Sequence, residues 1–187
     1  MHAHQSPHGT TGADAADICI GLAPVCARDA QVLVLGSMPG VASLQQARYY
    51  AHPRNRFWPL MVELAQVTAD AEYPVKLQQL QDAGIGLWDV IGQCRRRGSL
   101  DADIVAGSEV PNALPALIES RPGLRLIACN GGTAYRAFQR FIAPQLAANP
   151  PFTVLALPST SPANAGWSLP RLRTAWQPVA KALGGDR

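Results

Sequence analysis

Two stretches of this sequence, far apart in the chain, gather side chains with chemical potential. The first opens with Gly36-Ser37-Met38-Pro39-Gly40 and ends with Tyr49-Tyr50-Ala51-His52-Pro53-Arg54-Asn55-Arg56-Phe57-Trp58. Gly36 and Gly40 let the backbone turn sharply and approach a ligand closely. Tyr49 and Tyr50 offer flat faces on which a base can stack. Arg54 and Arg56 place charge-assisted phosphate donors on either side of Asn55, whose amide can orient a water or read a base edge. Phe57 and Trp58 read instead as the packed start of a helix, whereas Tyr50 and Asn55 stand among turn residues and favour function. The second stretch is Pro158-Ser159-Thr160-Ser161-Pro162-Ala163-Asn164-Ala165. Its small hydroxyl and amide groups can enter a groove and bond phosphates; an ordinary Ser/Pro turn before a final helix explains them equally well.

Three other features sit beside these. Asn130 either caps the helix that follows it or turns its amide toward a base. Cys94-Arg95-Arg96-Arg97-Gly98-Ser99 reads by default as a solvated basic loop, with contact to a DNA backbone as the alternative. Asp89, Asp101 and Asp103 are isolated carboxylates; Asp89 falls within an expected strand, so structural hydrogen bonding and catalysis are both open for it.

The elements that must position these groups follow from apolar periodicity. Gln31–Leu35, Gly86–Ile91, Leu124–Cys129 and Phe152–Leu157 are short apolar runs that read as buried strands. Helix-period segments cover Phe57–Val67, Pro74–Ala83, Ala113–Ser120, Thr133–Ile142 and Pro170–Leu183, the last with a proline suited to a first turn. A long loop is expected from Gly36 to Arg56. Strands alternating with helices imply an α/β fold with a mostly parallel sheet covered on both faces. In such sheets the ligand crevice lies beyond the carboxyl ends of the strands. The loops after Leu35, Cys129 and Leu157 all leave from those ends, so topology alone brings them to one site.

Composition sets the outer limits. At 187 residues the chain suffices for one domain, residues 17–187, with a core that needs no disulfide or metal. Residues 1–16, histidine-rich and without apolar pattern, are expected to be a disordered leader. Hydrophobic residues make up 48% and charged residues 16%, which fits a compact globular body. Sixteen glycines and sixteen prolines point to several shaped loops. The formal charge of +3 is compatible with nucleic acid without arguing for it. Lys76 and Lys181 are the only lysines, so arginine, the better bidentate phosphate ligand, carries the positive charge. Cys19, Cys26, Cys94 and Cys129 show no metal-ligand spacing, so no metal and no cofactor are expected. No apolar run approaches membrane-spanning length and no signal sequence is legible, which points to a cytoplasmic protein, nucleoid-associated in a prokaryote.

Taken together, the two loops resemble the motif regions of the uracil-DNA glycosylase superfamily. Gly36–Gly40 with Tyr50–Trp58 is similar to the first motif region of mismatch-specific uracil-DNA glycosylases, and looks closer still to the hypoxanthine-DNA (deoxyinosine) glycosylase branch. Pro158–Ala165 is similar to the second motif, the loop that enters DNA beside the flipped nucleotide. Leu87-Trp88-Asp89-Val90 through Ile104 also resembles that branch, and the likeness spans roughly Gly21 to Leu183. It implies a three-layer α/β/α sandwich around a short, mostly parallel four-stranded central sheet. It also implies hydrolysis of the N-glycosidic bond of a deaminated base flipped out of DNA.

By position, Tyr50 becomes the aromatic platform under the base. Gly36, Ser37, Met38, Pro39, Gly40 and Asn130 become the base pocket. Arg54, Arg56, Ser159, Thr160, Ser161, Pro162, Ala163 and Asn164 become the DNA contacts. Met38 stands where many members carry an aspartate or asparagine that orients the attacking water, and a thioether cannot do this. In the hypoxanthine branch a downstream asparagine takes the role, and Asn55 matches it. The departure favours hypoxanthine over uracil, with xanthine also a candidate. Without a lysine in these loops no Schiff-base lyase step is expected, so the enzyme is monofunctional and leaves an abasic site. The expected partners are DNA carrying a deaminated base and downstream abasic-site repair enzymes, with no membrane, and the expected state is a monomer. The alternatives are a non-catalytic damaged-DNA-binding member of the same fold, which Met38 favours, and a hydrolase of free nucleosides, which leaves the arginines and the second loop without a duplex.

Overall fold

The computed structural model describes residues 16–184. The leader expected over residues 1–16 lies outside the described residues except for Ala16, which is buried and accepts a hydrogen bond from Arg95 Nε. In chain order the strands are β1 Asp17–Ile20, β2 Val32–Gly36, β3 Ile85–Asp89, β4 Ile91–Arg96, β5 Val110–Pro111, β6 Leu126–Asn130 and β7 Thr153–Leu157. The helices are α1 Val41–Gln46, α2 Phe57–Ala65, α3 Tyr73–Asp82, α4 Leu114–Glu119, α5 Gly132–Phe141, α6 Leu169–Ala175 and α7 Gln177–Ala182.

Strand β2 sets the architecture. Val32 and Val34 point to one face and Leu33 and Leu35 to the other, and all four are fully buried. A strand apolar on both faces needs cover on both sides, and helices supply it. Val32 and Val34 pack with Phe57, Leu60 and Met61 of α2 and with Leu172 and Val179 of α6 and α7. Leu33 and Leu35 pack with Leu114, Ile118, Ala134 and Phe138 of α4 and α5. The main sheet runs in the order β3-β2-β6-β7, with every neighbouring pair parallel. The result is a three-layer α/β/α sandwich around a four-stranded parallel sheet, as expected.

Three features differ from the expectation. The basic stretch from Cys94 is not an irregular loop: β4 runs through it, antiparallel between β1 and β5 in a second, smaller sheet. Period-two alternation turns Cys94 and Arg96 inward and leaves Arg95 and Arg97 exposed, and an inward arginine hides that pattern in the sequence. The loop after β2 contains helix α1. The closing helix breaks at Trp176 into α6 and α7, because Pro178 in the next turn has no N–H to continue the ladder and its ring crowds the carbonyl four residues back.

Candidate active site

The carboxyl ends of the four parallel strands open into a cleft of about 900 Å³. Of the residues singled out above as base pocket, catalyst or DNA contacts, all but Arg56 line it. Tyr50 and Asn55 therefore share one rim with Ser159–Asn164, the arrangement that topology required.

The second loop is held from below. Asn130, at the end of β6, donates from Nδ2 to Thr160 Oγ1 at 3.0 Å and accepts from the Thr160 N–H at 2.9 Å. Gly131 follows with φ +106, a conformation suited to glycine, and its Cβ position lies 3.0 Å from Ser159 Cβ. Arg56 closes the loop from the other side. Its guanidinium donates to the carbonyls of Trp167, Ser161 and Asn164, and its Nε to that of Thr160. Inside the loop, Ser159 Oγ and Ser161 Oγ accept from the N–H groups of Ser161 and Ala163, and Asn164 Nδ2 donates to Ser159 O. Trp176, fully buried, donates to Pro158 O at 2.9 Å and fixes the point where the loop leaves β7.

These bonds correct two expected roles. Arg56 is not a phosphate ligand, because four of its N–H groups are spent on those four carbonyls. Thr160 is not a DNA contact: it is fully buried with its hydroxyl engaged by Asn130. Both brace the loop, and Ser159, Ser161, Pro162, Ala163 and Asn164 remain on its cleft side. Asn130 lines the cleft while its amide already serves Thr160, so one side chain fills both the structural and the cleft-facing positions.

The first loop leaves its groups free. Asn55 Oδ1 accepts the Phe57 N–H at 2.9 Å at the start of α2, which fixes the amide plane. Its Nδ2 has no hydrogen-bond partner among the described residues. Tyr50 stacks on Phe57 with ring centroids 3.9 Å apart and planes 24° from parallel. Phe57 is fully buried, so it supports the platform from beneath while Tyr50 keeps a face on the cleft. Tyr50 also adopts φ +55, a left-handed conformation that costs a bulky residue energy and persists only when its surroundings enforce it. Tyr49 does none of this: it is buried, with its hydroxyl donating to Ala23 O and its N–H to the Tyr73 hydroxyl. Arg54 is exposed on the rim, and its guanidinium has no partner among the described residues. His52 Nδ1 accepts the Arg54 N–H, leaving Nε2 on the outer side of the ring. Met38 packs with Ile91 and Cys94, a wall and not a polar reader.

Of the three isolated carboxylates in the sequence, Asp89 and Asp101 line the cleft and Asp103 does not. Asp101 accepts a short hydrogen bond of 2.6 Å from Ser37 Oγ. Burial pushes its carboxyl up from the usual range, while the Ser37 bond and the positive charges of Arg96 and Arg136 oppose the shift. Arg96, expected on a solvated loop, is instead 2% exposed and donates to Pro39 O at 2.8 Å. Asp89 ends β3, and burial, reinforced by the charge of Asp101, raises its carboxyl to about 7. In the sequence Asp89 falls within an expected strand and Asp101 within the stretch that resembles the hypoxanthine branch, but neither signal shows that Asp101 is brought to the cleft from the loop after β4.

An aromatic platform, an oriented amide, a rigid small-residue loop and an exposed arginine around one cleft suit an extruded nucleotide. The profile of the Uracil DNA glycosylase superfamily matches residues 23–181. The chain belongs to the uracil DNA glycosylase superfamily. Members of this superfamily hydrolyse N-glycosyl bonds in DNA, and this member shares that chemistry and the DNA partner it requires. The chain is 35% identical over 162 residues to a protein named Hypoxanthine DNA glycosylase from Methanosarcina acetivorans, covering 85% of this chain and 96% of that one. A second protein of that name, from Methanosarcina barkeri, is 35% identical over 112 residues, 59% of this chain and 70% of its own. A solution NMR structure from Methanosarcina acetivorans, described as a candidate uracil DNA glycosylase, superposes with a TM-score of 0.74 at 32% identity, covering 90% of this chain and 99% of that one. Among the described residues, no helix of this superfamily member is long and apolar enough to cross a membrane.

Proposed function

We propose that this glycosylase removes deaminated bases, hypoxanthine foremost, from DNA and leaves an abasic site. The observation that carries the reading is the convergence on one cleft of Tyr50, Asn55 and the braced second loop. The names of the two Methanosarcina relatives support hypoxanthine. Met38 supports it as well, because a thioether packed against Ile91 and Cys94 cannot hold a water.

Extruding a base costs roughly a few kcal/mol, less when it is mispaired. Stacking on Tyr50 returns about 1–3 kcal/mol of this. Asn55 Nδ2 then holds a water whose second lone pair faces C1′ of the sugar. The N–H groups of Met38 and Gly40, which make no hydrogen bond among the described residues, stabilise charge developing on the departing base. Arg54 and the rim of the second loop bind the flanking phosphates, and a monomer acting beside the DNA in the cytoplasm suffices. No lysine lines the cleft to form a Schiff base with the sugar.

The test is a panel of duplexes, each with one deoxyinosine, deoxyuridine or deoxyxanthosine, incubated with the protein and then treated with alkali. Alkali-labile sites should form fastest from deoxyinosine, with no strand break before alkali. Lesion-selective binding without base release on any substrate would contradict the reading and leave a non-catalytic damage sensor.

A further inference from the structure

Asp89 is the one carboxyl in the cleft with nothing to hold a negative charge. It is 4% exposed, and Oδ2 is buried without a hydrogen-bond partner. A solitary carboxylate in such a place is strongly disfavoured, whereas the neutral acid keeps an O–H that can be donated. Its placement is built: a methyl group on Gly36 would stand 2.3 Å from Asp89 Oδ1 and 3.9 Å from the Tyr50 hydroxyl. The missing side chain of Gly36 therefore makes room for the carboxyl beside the platform on which a base would stack. Asn112 fixes the same stretch of backbone, its Nδ2 donating to Asp89 O at 2.9 Å.

We infer that Asp89 is a catalytic general acid that protonates a departing purine at N7, which makes the preferred substrate a purine and not a pyrimidine. This inference rests on the proposed hypoxanthine reading and deepens it. When the C1′–N9 bond breaks, its electron pair passes into the purine ring, and the Asp89 proton moves to the N7 lone pair, so the base leaves neutral. Water adds its oxygen to C1′ and gives up a proton to solvent, and solvent returns one to the Asp89 carboxylate. A pyrimidine has no N7 and gains nothing from an acid placed to reach it.

Position and ionisation agree. Burial first, and then the charge of Asp101, raise the Asp89 carboxyl to about 7, so a substantial neutral fraction exists at neutral pH. The titratable groups facing it are Asp101 across Ser37 and the phenols of Tyr49 and Tyr50. Arg96 and Arg136 act on Asp101 from behind. His52 and Arg54 line the same cleft. DNA phosphates arriving at the rim add negative potential and favour the neutral acid further.

The experiment measures single-turnover base release from pH 5 to 9 for the wild type and Asp89→Asn, on duplexes holding deoxyinosine or 7-deaza-deoxyinosine. The wild type should lose rate on the alkaline side. Asp89→Asn should be slower by about 10²-fold or more with that alkaline fall gone, the range expected for general acid catalysis. Affinity for a duplex carrying a non-cleavable 2′-fluoro deoxyinosine should be unchanged. The 7-deaza substrate isolates the proton transfer: the wild type should process it no faster than Asp89→Asn processes deoxyinosine, and Asp89→Asn should slow it no further. Equal rates on the two bases, full rate in Asp89→Asn, or a fall on the acid side instead, as a general base would give, overturns the inference alone. A wild type that releases no hypoxanthine overturns the underlying reading and the inference with it.

Discussion

The two loops that meet at the cleft are built on opposite plans. The loop after β7 is locked: Arg56 and Asn130 grip it from two sides, and its serines turn their hydroxyls back onto its own backbone. The loop after β2 is anchored through Tyr49 and Phe57 but leaves the Asn55 amide and the Arg54 guanidinium uncommitted. Rigidity suits a segment that enters DNA, because it pays no ordering entropy on contact. Unspent donors suit a segment that must engage water and phosphate. Arg54 and Arg56 make the contrast within two residues: the same side chain serves the interior in one case and the rim in the other.

The comparison can be broken by substitution. Arg56→Ala should have the largest effect on the loops. It removes four side-chain donors from the second loop, leaving the Trp167 carbonyl without a partner while those of Thr160, Ser161 and Asn164 keep one backbone N–H each. At about 1 kcal/mol for each lost bond the domain should lose roughly 3–4 kcal/mol in urea denaturation. A loss below about 1 kcal/mol would mean that the second loop stands without its clamp.

Asp89→Asn should act on stability through pH. The folded carboxyl, at about 7, lies above its ordinary 3.8, so its contribution is full below 3.8 and is lost as pH rises through 7. Wild type should therefore weaken by on the order of 4 kcal/mol from pH 4 to 8, and Asp89→Asn should lack most of that decline. Parallel curves for the two proteins would show that the carboxyl is not held neutral.

Asn130→Ala, which frees Thr160 and also removes the Asn130 amide from the Tyr50 hydroxyl, should cost about 1–2 kcal/mol and reduce excision more than it reduces DNA affinity. Arg54→Ala should be smallest in stability, within about 0.5 kcal/mol of wild type. Its signature should be weaker DNA binding, with the slope of log affinity against log salt smaller by about 1. Equal stability losses for Arg54→Ala and Arg56→Ala would erase the distinction between the loops.

Much of this was legible in the chain because apolar runs and topology are local signals with global consequences. Val32–Leu35 and Leu126–Cys129 announce strands buried on two faces, and a parallel sheet then directs the loops after them to one edge. What stayed hidden depends on partners distant in sequence. Nothing near Arg56 reveals that Thr160 and Trp167 supply its acceptors, and nothing near Arg96 reveals that it turns inward to Pro39. Strand β4 is masked in the sequence because its inward positions include that charged residue. Asp101 meets Ser37 at the cleft across 64 positions of sequence. The residue types were readable, but which donors were already spent was not.

The proposed role of the Asn55 amide, fixed by the Phe57 N–H, is to place the water that cleaves the base from its sugar. The direct measurement is free hypoxanthine released in a single turnover from a deoxyinosine duplex by wild type and by Asn55→Ala, with DNA affinity measured in parallel. Release should fall by about 10²-fold or more in the variant, the range for a lost catalytic donor, while affinity changes little. Release at the wild-type rate by Asn55→Ala would contradict the account.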